Sequence, residues 1–185
     1  MILFEVVALF LLFSLATGGS VRNLEQERLR GESLLLVLLP LQIAWPPIAE
    51  MLGLGCSWAL AVWLLMMVML VVVLAVNIRQ RWILGLAALG IALNALVIGL
   101  NGGMPVSMRS VSEIGVSRAE ATMRMEADCL HGVLDAETSL PVLGDVIAVP
   151  GPQWQRAVAS VGDLLLASGL GGWVFVASRR RQEDS

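Results

Sequence analysis

Lysine and tyrosine are absent from this sequence of 185 residues, histidine occurs once and cysteine twice. Without lysine there is no Gly-rich loop ending in Lys, which excludes a Walker-type ATPase. A single histidine, His131, excludes a haem held by two histidines of one chain. A zinc site around His131 would need Asp128, Cys129 or Asp135 as further ligands, and no second cluster matches them, so a hydrogen-bonded surface histidine is the expected role and no metal is expected. Cys56 lies in an apolar run and Cys129 in the one long polar segment, so the two read as neither a disulfide framework nor a metal-ligand spacing. The formal net charge of −3 leaves no basic footprint for nucleic acid. Neither an HExxH zinc motif nor a GxSxG nucleophile elbow occurs, and no cofactor is expected. With no tyrosine, an interfacial aromatic belt has to rest on the six tryptophans.

Charge is scarce as well. Only 15% of residues are charged, 57% are hydrophobic, and the mean hydropathy is +0.81. Soluble domains carry about a quarter charged residues. The apolar residues fall into runs near the roughly 20 residues that cross a bilayer as a helix. The runs are residues 1 to 17, about 33 to 52, 56 to 76, 82 to 100 and about 157 to 177. The first resembles a signal peptide at Ser14-Leu15-Ala16, but Glu5 lies inside it and no basic residue precedes it, so a retained helix is expected. Pro40, Pro46 and Pro47 are expected to kink or break the second run. The fold expected is all-α: one integral membrane domain over residues 1–185, a polytopic bundle of about five transmembrane helices with one long external loop at 101–153.

The arginines orient it. Eight of the twelve fall in three short segments, at Arg22, Arg28 and Arg30, at Arg79 and Arg81, and at Arg179 to Arg181. Five crossings put all three segments on one side, and the positive-inside rule makes that side cytoplasmic. The N-terminus and the long loop then face outward. Within that loop Ser117 and Glu120 read as a capping box opening a short helix over about 118 to 130. The run LPVLGDVIAVP is too short to span and is expected to fold back onto the outer ends of the helices, because its apolar side chains would otherwise form an exposed patch.

Few residues carry candidate chemistry. Asp163 is read about seven residues into the last helix, either as a proton or cation site or as a carboxylate bound at the outer helix end to loop backbone or Arg156. Asp145 needs a partner if it presses on apolar surface. With His131 and Asn101, these two acids form the candidate ligand or ion pocket on the outer side. Asn94 is read as helix-packing glue. A small-residue stripe of Ala88, Ala92, Ala95 and Gly99 is expected to pack on Ala167 and Gly171 of the last helix. Asn101-Gly102-Gly103-Met104-Pro105 reads as a glycine-capped helix end.

Four segments carry a resemblance: GGSVRNLEQERLRG at 18–31, LNGGMPVS at 100–107, HGVLDAETSLPVLGDVIAVP at 131–150 and SVGDLLLASG at 160–169. Together they resemble an uncharacterised bacterial family of small multi-pass membrane proteins, a domain of unknown function found in Gram-positive and related lineages. The resemblance covers most of the chain and implies the bacterial plasma membrane; it implies no activity, substrate or catalytic residue. The reading is thus a multi-pass protein, non-catalytic, serving ligand or lipid binding, transport or envelope assembly. Its partners are the bilayer and, within it, further copies or other membrane proteins. The alternative is a membrane-embedded enzyme or proton- or cation-coupled transporter using Asp145, His131 and Asp163.

Overall fold

The structure, a computed structural model, describes residues 2–152 and 155–179. Arg180 and Arg181, which the orientation argument uses, lie outside the described residues. The chain is mostly helical: α1 (Ile2–Ala16), α2 (Val21–Gln26), α3 (Glu32–Met51), α4 (Cys56–Ala75) and α5 (Leu84–Asn101) lead to a small mixed cap, and α8 (Val161–Ala177) closes the chain. Three helices, α3, α4 and α5, are long and apolar enough to cross a membrane. The apolar α1 and α8 are shorter, at 15 and 17 residues.

The long apolar helices pack in the spatial order α3, α4, α5, α8, α1. The last helix in sequence therefore inserts between α5 and α1. The core runs through the middle of this row, where Leu70, Leu84, Val97 and Ile98 are fully enclosed. At the edge, α3 rests chiefly on α4, and the Trp45 indole N–H donates to the Ala59 carbonyl across that contact at 2.7 Å. Of the kink or break expected at the three prolines, the break does not occur: α3 runs unbroken from Glu32 to Met51.

Backbone contact explains the α5–α8 seam. Without a hydrophobic force between helices in lipid, association rests on close packing and interhelical hydrogen bonds, and both need small residues. A Cβ on Gly90 would stand 2.3 Å from the Gly162 carbonyl oxygen, and one on Gly169 would stand 2.4 Å from the Ala87 nitrogen. The stripe read from the sequence is thus displaced. Gly99 is exposed with nothing within 4 Å of a Cβ, and Ala92 is only half-buried. Gly171 faces Phe10 of α1, not α5. The faces that meet carry Ala87, Gly90 and Asn94 on one side and Gly162 and Gly169 on the other. The two stripes lie about one residue apart around the helix, a rotation that composition alone does not fix.

The two ends of the bundle differ in chemistry. At one end, buried Asn77 after α4 accepts from the Arg30 amide and donates to the Arg30 and Val73 carbonyls. Glu27 pairs with Arg81 there, largely out of solvent. Ser14 and Ser178 share a hydrogen bond, Asn23 donates to the Ser178 carbonyl, and Arg179 donates to the Thr17 carbonyl while stacking on Phe175. This end gathers Arg22, Arg28, Arg30, Arg79, Arg81 and Arg179.

The opposite end carries the cap. Strand β1 (Met104–Val106) pairs in parallel with β2 (His131–Val133), and β3 (Ile147–Val149) pairs antiparallel with β4 (Ala157–Ala159). Two helices, α6 (Met108–Glu113) and α7 (Arg118–Asp128), cover them. Ser107 and Ser117 accept hydrogen bonds from the Ser110 and Glu120 amides as their N-caps. The cap has its own apolar centre at Val106, Val111 and Ala121, backed by Met108, Val116, Met125 and Val158.

One covalent bond ties this cap to the bundle. Cys56, the first residue of α4, is disulfide-bonded to Cys129, which ends α7 in the left-handed conformation at φ 56°. The sequence reading that the cysteines make no disulfide is therefore overturned. The character of each residue's own segment misled it, because what brings them together is tertiary: both sit at the cap end. Reduced to that, one at an outer helix end and one in the loop at the same end, the pair was findable from the arginine argument.

Candidate functional site

The site grows from the start of α8. Ser160 is its N-cap: the hydroxyl oxygen accepts from the Asp163 amide at 2.9 Å, and the Asp163 carboxylate accepts from the Ser160 amide at 3.0 Å. That is a capping box built with aspartate, which satisfies two amides that a helix start otherwise leaves open. The helix begins at Val161, not near Ala157, because residues 157–159 are committed to strand β4. Asp163 consequently sits in the first turn of α8. Its carboxylate binds loop backbone there, at the Ser160 amide.

Asn94, in the middle of α5, completes the arrangement. Its amide nitrogen donates to Asp163 Oδ1 at 2.8 Å, and its carbonyl oxygen accepts from the Ser160 hydroxyl at 2.9 Å. Gly162 lets this happen, since a Cβ there would lie 1.9 Å from Asn94 Oδ1. Asn94, Ser160 and Asp163 therefore form one closed network between the two helices, with Ser160 and Asn94 both buried.

Asp145 stands above it. The chain folds back after Thr138 through a 3-10 turn at Pro141–Leu143 that rests on α5 and α8, with Leu143 packed against the bundle core. Leu140 enters this turn in the left-handed conformation at φ 53°. Gly144 follows, and a Cβ there would meet the Pro105 carbonyl at 2.5 Å. Asp145 then runs beside β1 like a third strand: its amide donates to the Pro105 carbonyl at 2.8 Å and its carbonyl accepts from the Ser107 amide at 2.9 Å. The side chain is 8% exposed, and its Oδ1 has no hydrogen-bond partner among the described residues. Burial pushes this carboxyl up to about 7; the neighbouring Asp163 pushes the same way, and His131 opposes both. A buried carboxylate lacking donors is costly when ionised, which is the physical reason.

His131 is exposed at the start of β2, close enough for its charge to bear on Asp145. Asn101 belongs elsewhere. Its amide donates to the Val97 and Ser139 carbonyls, and its side-chain oxygen accepts from the Ser139 amide. It lines a shallow cleft of about 290 Å³ with Pro105, Asp135 and Thr138, and neither Asp145 nor Asp163 nor His131 lines that cleft. The structure thus brings Asp145, Asp163 and His131 together electrostatically and leaves Asn101 as the anchor of the fold-back. Asn101→Ala should cost about 1 kcal/mol of that anchoring, read as faster amide exchange at Ser139 with the melting of the bundle unchanged.

Sequence reasoning missed the start of α8 at Val161, Gly162 as the close approach, and the Cys56–Cys129 bond. Ser-x-x-Asp ahead of an apolar run was the available signal for the first. No curated protein and no solved structure matches the chain. A family profile does match, over residues 26–175, and the chain accordingly belongs to DUF5317, a family of unknown function.

Proposed function

We propose that this is a bacterial plasma-membrane protein that crosses the bilayer five times, with the N-terminus outside and the C-terminus cytoplasmic, and that carries a non-catalytic outer cap for ligand binding or envelope assembly. The observation that carries this reading is the position of the Cys56–Cys129 bond at the end of the bundle opposite the arginines. Disulfides persist in oxidising compartments, and short arginine-rich segments stay in the cytoplasm; two unrelated rules give one orientation. Trp58 and Trp82, both largely exposed at opposite ends of the α4–α5 pair, suit the two interfaces of a bilayer. At 1.5 Å per residue α1 and α8 reach about 22 and 26 Å. The packing of α8 on α5, and of α1 on α8, supports counting them as crossings.

A non-catalytic role is supported by how the polar groups of the cap end are used. Asn94, Ser160, Asp163 and Asn101 hold helices and loop together. Asp135 and Thr138 hold each other in a turn. A second reading, a proton- or cation-coupled role for Asp145, Asp163 and His131, is favoured by the buried and unpartnered oxygen of Asp145. Fusions at the C-terminus test the orientation: a green fluorescent protein should fluoresce and an alkaline phosphatase should be inactive. An active phosphatase would overturn the proposal.

A further inference from the structure

We propose that Asp145 is a proton-binding latch: with its carboxyl protonated the fold-back segment closes on β1 and the outer end of α8, and with it ionised that closure loosens. The inference uses the cap but not the orientation of the chain, so a reversed topology would leave it standing.

Three observations converge on Asp145. Its backbone is fastened on both sides, to Pro105 and Ser107, so the side chain cannot leave without undoing the strand-like pairing with β1. The side chain is buried and one carboxylate oxygen lacks any donor. The neighbouring acid, Asp163, accepts from the Asn94 side-chain amide and the Ser160 backbone amide, so these two donors are engaged away from Asp145. Burial, an oxygen that meets no donor and a second acid close by all favour the protonated form of Asp145.

The charged groups around it are few. Asp163 comes from α8 and His131 from β2. Strand β1 and the turn at 141–143 contain no titratable side chain. On α6, Arg109 and Glu113 pair with each other at the surface. Among the described residues no three His, Cys, Asp or Glu side chains are placed to hold a metal ion, so the ligand that fits is a proton.

The sign follows from linkage. The folded carboxyl titrates at about 7 and an unfolded aspartate near 3.9. Between those values the closed cap binds more protons than the open one, so closure is fully favoured below about pH 4 and weakens as pH rises through about 7. The full displacement corresponds to a bias of roughly a thousandfold, and a change of at least about tenfold is expected between pH 5 and pH 8.

The test is hydrogen exchange on the full-length protein in lipid nanodiscs, followed at the Asp145 and Ser107 amides and corrected for intrinsic rate. In the wild type, protection should fall at least tenfold from pH 5 to pH 8, levelling off above about pH 7. Asp145→Asn should keep high protection at pH 8 and lose the dependence, and Asp163→Asn should move the levelling-off point down. Wild-type protection that is flat over this range overturns the latch without needing any variant to fold. So does a wild-type dependence that Asp145→Asn retains.

Discussion

Gly162→Ala is expected to destabilise the bundle by about 3 kcal/mol or more, whereas Gly99→Ala should be neutral or slightly stabilising. The added methyl at Gly162 would stand 1.9 Å from Asn94 Oδ1 and 2.7 Å from the Gly90 carbonyl. Both neighbours are fixed, one by the network with Ser160 and Asp163, the other by its helix. Relief requires α5 and α8 to separate. That costs the overpacking energy, about 1–3 kcal/mol, and strains the two hydrogen bonds of Asn94, whose buried groups are costly to leave unpaired. At Gly99 a Cβ meets nothing, and alanine removes the helical penalty of glycine, up to about 1 kcal/mol. Thermal melts of both variants in detergent should differ by several degrees. Equal melting would mean that the seam does not run through Gly90 and Gly162.

The second large effect belongs to the disulfide. Cys56→Ser and Cys129→Ser should each weaken the attachment of the cap by about 3 kcal/mol, and the double variant should be no worse than either single one. The two cysteines are 73 residues apart in sequence. When the cap opens, α4 and α5 remain inserted, so the loop actually freed is shorter than that separation, and the lower part of the range applies. About 3 kcal/mol is roughly a hundredfold in the open fraction. Trypsin, whose sites in the cap are Arg109, Arg118, Arg124 and Arg156, should cut the variants faster by about that factor. Cutting at the wild-type rate would show that α7 is held without the bond.

Much of the architecture was legible because the bilayer writes long-period signals. Apolar runs marked α1, α3, α4, α5 and α8, and Ser117 marked the start of α7. The fold-back of 139–152 was legible in part from its apolar residues: Leu143 packs on the bundle core and Asp145 is buried, whereas Leu140 and Val142 stay exposed. Helix rotation was not legible. Alanine and glycine occur all around α5, and only the position of α8 decides that Gly90 is a contact and Gly99 is not. The start of α8 was misplaced because an apolar Ala-Val-Ala continues the run, while pairing with β3 claims it as strand. The Cys56–Cys129 bond and the separation of Asn101 from Asp145 both depend on how loops return, which no periodicity encodes. The acid pair was named from sequence, yet the difference between its members was not: Asp163 is a helix cap, and Asp145 has a buried oxygen that meets no donor among the described residues.

The central claim is that the cap lies outside the cell and the arginine-rich end inside. A membrane-impermeant maleimide applied to intact spheroplasts tests it most directly, with the native cysteines blocked as their disulfide. Met123→Cys, exposed on α7, should label at once, and Gln80→Cys, exposed between α4 and α5, should label only after permeabilisation. Labelling of Gln80→Cys in intact spheroplasts, with Met123→Cys protected, would contradict the account.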